Sequence, residues 1–319
     1  MRKIILIGYG KVGRIHQKYL KKYGGNVIIV DRDKSKIKGE KNAFLDFKEA
    51  MKEFKNLEKP FLYDICTDTS QHFPVFKKIV SKDNNANILI EKPIVNSEKQ
   101  IKQIQEILKK NPSVHVFVNE NYLFSKILKR TLEEMKKNSF KRYDIYIEFS
   151  KNRIPDMKKG RFVDKKLNAL GIEGPHIISM LFELYPGEKP ILCSKENNAL
   201  SSNIVYLTKQ KNRICLNTSL NGKINRKNAF SKSNIDKYRI MTVIDKSGKA
   251  IVAQFPYNNS LVGKVTTFNK GVILKQFKIL DNTMEESIKN AILYFSSKPK
   301  KHHFTYEKGV SAVKAIIKK

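Results

Sequence analysis

Two side chains in this 319-residue sequence stand where proton and charge transfer could be served: Lys92, in the triplet Glu91-Lys92-Pro93, and His176, in the stretch IEGPHII (172–178). An ammonium can stabilise an oxyanion that develops in a reaction, the other reading of Lys92 being a solvated lysine, and a neutral imidazole can take a hydroxyl proton. Ahead of His176, Gly174 suits a helix cap and Pro175 a first helical position, where its missing N–H costs nothing. His176 is therefore expected in a first helical turn, where the helix dipole and a nearby Lys92 both favour the uncharged ring. Glu173 beside it could orient the imidazole, touch substrate, or interact with free amides at the helix start. Upstream, the charged segment 151–166 contains Arg153 and Arg161 in a chain otherwise poor in arginine. These could grip a polyol or an anionic handle, the other reading being a solvated loop.

A second constellation handles phosphates. After the apolar run ending at Ile7 come Gly8, Tyr9, Gly10, Lys11, Val12 and Gly13, followed by apolar positions at helical spacing. In a strand, glycine turn and helix, Gly8 permits the turn, Gly10 lets backbone approach a pyrophosphate and Gly13 lets helix pack close to strand. The phosphates would lie at the positive helix N-terminus. A second apolar run, NVIIV, ends at Asp31, an acid suited to ribose hydroxyls and hostile to a 2′-phosphate, which favours NAD. Arg32 next to it leaves NADP as the alternative.

The elements that must position these groups follow from the periodicity. Apolar runs at 61–67, 87–94 and 114–122 alternate with helical patterns at about 72–81 and 98–110, the signature of a doubly wound parallel sheet. Ligands bind beyond the C-terminal strand ends of such sheets, which puts Asp31, Thr67, Asp68, His72, Glu91, Lys92, Asn119 and Tyr122 on one rim. Past a helix near 124–138 the pattern changes to strands separated by turns, such as Lys246-Ser247-Gly248, which predicts a mostly antiparallel sheet. The expected architecture is α/β: an N-terminal Rossmann domain over 1–120 and a C-terminal α+β domain over 121–319, with the helix at about 307–318 packing back on the first.

Composition narrows the classes of function. The net charge of +33 raises nucleic acid as a partner, yet lysines are spread over presumed wet helix faces and arginine, the better reader of phosphates and bases, is scarce. No dedicated nucleic-acid binding is expected. Cys66, Cys193 and Cys215 form neither a disulfide framework nor a metal knuckle, and no histidine and carboxylate set has metal-ligand spacing, so no metal is expected. His72 and His115 read as positional residues and the pair His302-His303, in a lysine-rich turn, as exposed. No apolar stretch is long enough to span a bilayer, which points to a soluble cytoplasmic protein.

The glycine turn, the Thr67 to His72 strand end (TDTSQH), Glu91-Lys92-Pro93, VNENY and IEGPH together resemble the Gfo/Idh/MocA family of glucose-fructose oxidoreductases and inositol dehydrogenases. Asn119 and Tyr122 match that family's asparagine and aromatic, whereas its usual arginine between them is Glu120 or Asn121. Its frequent aspartate four residues before the histidine is Ile172. The resemblance implies hydride transfer between NAD(H) or NADP(H) and a secondary hydroxyl of a sugar or cyclitol, with an antiparallel C-terminal sheet and a homodimer or homotetramer. It implies catalytic roles for Lys92 and His176, joined by Glu173 if that residue replaces the missing aspartate, and substrate contacts from Lys92, Tyr122, Arg153, Arg161, Glu173 and His176. The cofactor would be held by residues 8–13, Asp31, Arg32, Thr67, Asp68, His72, Glu91, Lys92 and Asn119. Two other readings are an NAD-recycling glycosidase or epimerase and an NAD-binding regulator that has lost catalysis.

Overall fold

Ile4 to Ile7 is an unbroken apolar run, as strands buried on both faces are, and in the computed structural model it lies in β1 (Arg2–Ile7), a central strand of a parallel sheet, with Arg2 exposed and Lys3 half-buried at its start. The structure describes residues 2–54, 59–158, 164, 166–187, 189–222, 237–257 and 260–318. After β1 the chain runs α1 (Lys11–Lys22), β2 (Gly25–Val30), α2 (Lys34–Ile37), β3 (Ala43–Phe44), α3 (Phe47–Lys52), β4 (Leu62–Ile65), α4 (Thr69–Val80), β5 (Asn87–Ile90), α5 (Glu98–Lys110) and β6 (His115–Val118). The six strands lie in the order β3-β2-β1-β4-β5-β6 and all pair parallel, with Ile5 beside Ile28 on one side and Tyr63 on the other. That order reverses direction at β1, which makes the crevice beyond β1 and β4 the place for a ligand. Local chemistry fixes the helix starts: the Ser97 side chain accepts from the Gln100 amide at the head of α5, and Asp46 does the same for Lys48 at α3.

A 3-10 turn (Asn121–Phe124) then leads to α6 (Lys126–Lys137), β7 (Tyr143–Lys151), α7 (Ile154–Lys158) and α8 (Leu170–Leu184). Seven more strands follow: β8 (Ile191–Asn197), β9 (Ser201–Leu207), β10 (Arg213–Ser219), β11 (Lys237–Asp245), β12 (Lys249–Gln254), β13 (Val262–Asn269) and β14 (Val272–Leu280). With β7 they make an eight-stranded sheet, β14-β13-β12-β11-β7-β10-β9-β8, antiparallel throughout except between β7 and β10. Helices α9 (Thr283–Ser296) and α10 (Phe304–Ile317) complete the described chain. Residues to Glu120 together with Met284–Ile317 form one compact unit, and Asn121–Thr283 form the other. Two helices, α9 as well as α10, thus belong with the first sheet; Tyr306, Val310 and Val313 of α10 join its core. Among the described residues no helix is long and apolar enough to cross a membrane.

Two expectations need correction. Helix α8 starts at Leu170, one turn earlier than Gly174-Pro175 suggests, so Pro175 lies inside it and His176 in its second turn. The apolar Leu167, Ala169 and Leu170 are buried and draw the chain into helix before the glycine, and the dipole's pull on His176, confined to a first turn, lapses. Nor are His302 and His303 exposed: the His303 ring stacks on Phe117 with centroids 4.2 Å apart, and burial pushes its pKa down to about 4.

Candidate active site

At the end of β1 the chain turns through Gly8, whose φ of +96° is a left-handed conformation suited to glycine. A Cβ there would lie 2.6 Å from the Thr67 amide nitrogen, and one on Gly13 would lie 2.1 Å from the Gly8 carbonyl, so α1 can close on the turn only without side chains at both places. Gly10 differs, because a Cβ on it would meet nothing within 4 Å. That open space lies at the N-cap of α1, whose first amides lack helical acceptors and suit a pyrophosphate. A cavity of about 290 Å³ runs from Gly8 and Gly10 past Asp31, Arg32, Thr67 and Asp68. Asp31 is fixed by two amides, Tyr9 N–H to Oδ2 at 2.7 Å and Asp33 N–H to Oδ1 at 2.9 Å. Tyr9 contributes only that amide, since its ring is buried and its hydroxyl lies 2.7 Å from Gln17 and 2.5 Å from Glu40. Lys11 and Val12 open α1, Lys11 exposed and Val12 partly covered. Arg32, Lys36 and Lys78 add cations to the cavity that holds Asp31.

Lys92 follows the C-terminal end of β5 and is joined to Pro93 by a cis peptide bond. Its neighbours are tied down on both sides. The buried His72 ring lies 2.9 Å from the Pro93 carbonyl through Nδ1 and 2.9 Å from the Thr67 carbonyl through Nε2, so it shapes the rim from beneath. Burial holds His72 below its ordinary pKa although both carbonyls favour the charged ring. On the other side Glu91 accepts the Lys92 amide at 3.2 Å through Oε2, while Oε1 faces Asn119 Nδ2 and, at 3.0 Å, His16 Nε2. Asn119 Oδ1 in turn accepts from Ser287 of α9 at 2.6 Å.

His16 was not a candidate in the sequence, yet it sits at the centre of this network, fully buried on α1. Its Nδ1 lies 2.8 Å from Asp64 Oδ2 and 3.2 Å from Cys66 Sγ. Burial opposes a charge on the ring, but the charge and hydrogen bond of Asp64 outweigh it and raise the His16 pKa well above its usual value. Among the described residues His16, Asp64 and Cys66 bring donor atoms within 4.8 Å of one another, a grouping that sequence spacing does not show. A metal would need the imidazole neutral and the thiol ionised. Here the ring favours its proton, and burial followed by the Asp64 charge pushes the Cys66 thiol up.

The second unit holds its own polar cluster. Tyr122 packs its ring at 4.8 Å from His176, edge-on to Phe149 at 4.9 Å and to Phe255 at 5.5 Å. Over this aromatic floor lies Arg239 of β11, its guanidinium 5.1 Å from the centroids of both Tyr122 and Phe149. One Arg239 nitrogen donates to the Tyr122 hydroxyl and another to Glu173 Oε2 at 2.6 Å. Arg153 approaches Glu173 Oε1 at 3.8 Å and donates to Asp156 at 3.2 Å. Burial pushes the Arg239 pKa down to about 9, which still leaves a cation at neutral pH. Glu173 is thus the counter-ion of two guanidinium groups. Arg239 is the second residue the sequence reading missed, because an arginine within a strand pattern looks like a solvated position. Arg161 lies outside the described residues.

The family model described as an oxidoreductase family with an NAD-binding Rossmann fold, Gfo/Idh/MocA, matches residues 2–120. No curated protein matches the sequence. Among solved structures, the WlbA dehydrogenase of Thermus thermophilus, in complex with NAD and UDP-GlcNAcA, superposes with a TM-score of 0.72 at 14% identity, over 99% of this chain and 94% of that one. A 3-ketoreductase of Actinomadura kijaniata, in complex with NADP and TDP-benzene, gives a TM-score of 0.77 at 12% identity, over 99% and 95%. The myo-inositol 2-dehydrogenase of Lactobacillus plantarum gives 0.75 at 11% identity, over 99% and 95%. At these identities the likeness is one of fold.

Proposed function

We propose, from the match of residues 2–120 to the model of the Gfo/Idh/MocA oxidoreductase family with its NAD-binding Rossmann fold, that the chain oxidises or reduces a secondary alcohol or ketone of a sugar or (amino)cyclitol, phosphorylated and nucleotide-linked sugars included. The observation that carries the proposal is Lys92, held at a strand end in the unit that also carries the glycine turn and its cavity. The dinucleotide supplies the hydride acceptor or donor; the amides at 10–13, Asp31, Thr67 and Asp68 would hold it. His176 takes the hydroxyl proton of the substrate. The Lys92 ammonium meets the negative charge growing on that oxygen, so it favours the transition state over the bound alcohol. Tyr122 and Arg153 would present polar groups to the substrate, with Glu173 keeping the guanidinium groups in place. The cations around Asp31 fit NADP as well as NAD.

A panel of inositols, aminocyclitols, hexoses, phosphorylated sugars and nucleotide sugars, offered with NAD and with NADP and followed at the absorbance of the reduced nicotinamide, tests the reading. Net reduced cofactor appearing with one substrate class supports it. Product without net reduced cofactor would instead mark an internally recycled redox step, and binding without turnover across the panel a regulatory protein. We further propose a soluble cytoplasmic homodimer or homotetramer. Support comes from β14, an edge strand of the large sheet, where Val272, Ile273, Leu274 and Leu280 are exposed.

A further inference from the structure

The proposed reaction asks one ammonium to stay fixed while charge develops beside it, and Lys92 is a long, flexible side chain. What holds its backbone is a buried chain of hydrogen bonds that begins far from it in sequence. His16 presents one ring nitrogen to each of two buried carboxylates, Nδ1 to Asp64 at 2.8 Å and Nε2 to Glu91 at 3.0 Å, with Cys66 Sγ 3.2 Å from Nδ1 and the Asn119 side-chain amide 3.0 Å from Nε2. A ring with an acceptor at each nitrogen is satisfied only when both nitrogens carry protons, and the imidazolium leaves one of the two negative charges uncompensated. Glu91 spends its other oxygen on the Lys92 amide. Asn119, itself held by Ser287, closes the remaining side of Glu91.

We infer that His16 is a positioning residue for the reaction, acting as a buried imidazolium that fixes Glu91 and, through the Glu91 carboxylate, the backbone that carries Lys92. The inference rests on the reading of Lys92 as the charge-stabilising group. The ionisable groups facing His16 are Asp64 and Cys66 at the end of β4 and Glu91 at the end of β5; α9 contributes the uncharged Ser287 and Met284 around Asn119. Burial and the Asp64 charge push the Cys66 thiol up, and the carboxylates that face the ring are Asp64 and Glu91. The raised pKa of His16 and the lowered pKa of Glu91, which the His16 hydrogen bond and charge sustain against burial, agree with that state. A neutral amide in place of the ring could serve one carboxylate and would leave the other buried without its partner.

Nitrogen-15 spectra of the whole chain should show both His16 ring nitrogens protonated at pH 8, where an ordinary histidine is neutral. Reductive methylation with carbon-13 formaldehyde gives Lys92 a resonance, assigned by its loss in Lys92→Ala, and His16→Gln should shift that resonance in the folded protein. Turnover on the substrate found with the panel should fall about tenfold or more in His16→Gln, with NADH affinity within about threefold of wild type. Asn119→Ala, which removes one Glu91 contact without stranding a charge, should move the same resonance by less, and it stands in if His16→Gln does not fold. A neutral His16 at pH 8 would overturn the inference. So would a Lys92 resonance indifferent to both changes. If the panel finds no substrate, the reading of Lys92 fails while the two spectroscopic results still decide what His16 does.

Discussion

Arg239 carries its charge where charge is costly, with its side chain 10% exposed and its carboxylate partner on Glu173 1% exposed. Removing one member of such a pair strands the other, so Glu173→Gln should destabilise the protein by about 3 kcal/mol in urea denaturation, with NADH binding to the first unit unchanged. The proposed reaction assigns its chemistry to other residues: Lys92→Ala and His176→Ala should each lower turnover by about 10²- to 10⁴-fold while NADH binding stays near wild type, and unchanged turnover in either would sink the assignment. His303 gives a stability test. Its folded pKa of about 4 lies below its ordinary 6.5, so at intermediate pH the unfolded chain takes up a proton that the native ring refuses. Stability should therefore be full above pH 6.5 and decline as pH falls toward 4. His303→Leu should flatten part of that decline in thermal scans at several pH values. Lys92 and His176 stand out as candidates in the sequence because Pro93 follows the first and Gly174-Pro175 precede the second. His16 does not, since its partners stand 48 and 75 residues away and only the sheet brings them together.

Among the elements, β1, α1 and the turn between them were legible almost residue by residue. Three glycines at fixed spacing after an apolar run leave few other geometries. Gly13 is the most demanding of them, with a Cβ 2.1 Å from the Gly8 carbonyl. Gly13→Ala should cost about 1–3 kcal/mol of stability and weaken NADH binding together, read by thermal unfolding and by fluorescence titration; loss of neither would mean that the turn yields freely. Helix α5 was likewise legible in its bounds, expected at about 98–110 and found at Glu98–Lys110. Helix α8 was not, because Gly174 and Pro175 imitate a start while the packing of Leu167, Ala169 and Leu170 decides the matter earlier. Local signals name what a residue prefers; burial of apolar area from distant elements can override a preference worth about 1 kcal/mol.

For the molecule as a whole, the pattern of strands foretold two sheets of different kind, and both are present in the expected order. The exposed apolar side chains of β14 were not foreseen as a patch, since an apolar strand reads the same in sequence whether a sheet or a second copy covers it. If copies pair there, Val272→Lys combined with Leu274→Lys should convert the assembly to monomer in light scattering, with the NADH affinity kept. A monomeric wild type would remove the reason for the patch. The division of the chain, with Met284–Ile317 completing the unit begun by the first 120 residues, has a consequence in time. At about 5–20 residues per second, the stretch Asn121–Thr283 occupies a ribosome for about 10–30 s before α9 and α10 exist. For that interval Phe117 lacks His303 and Phe295, Val118 lacks Gly309, and Asn119 lacks Ser287. The half-built first unit then exposes the apolar surface that α9 and α10 later cover, and slowing translation within codons 121–283 should lengthen its exposure to aggregation.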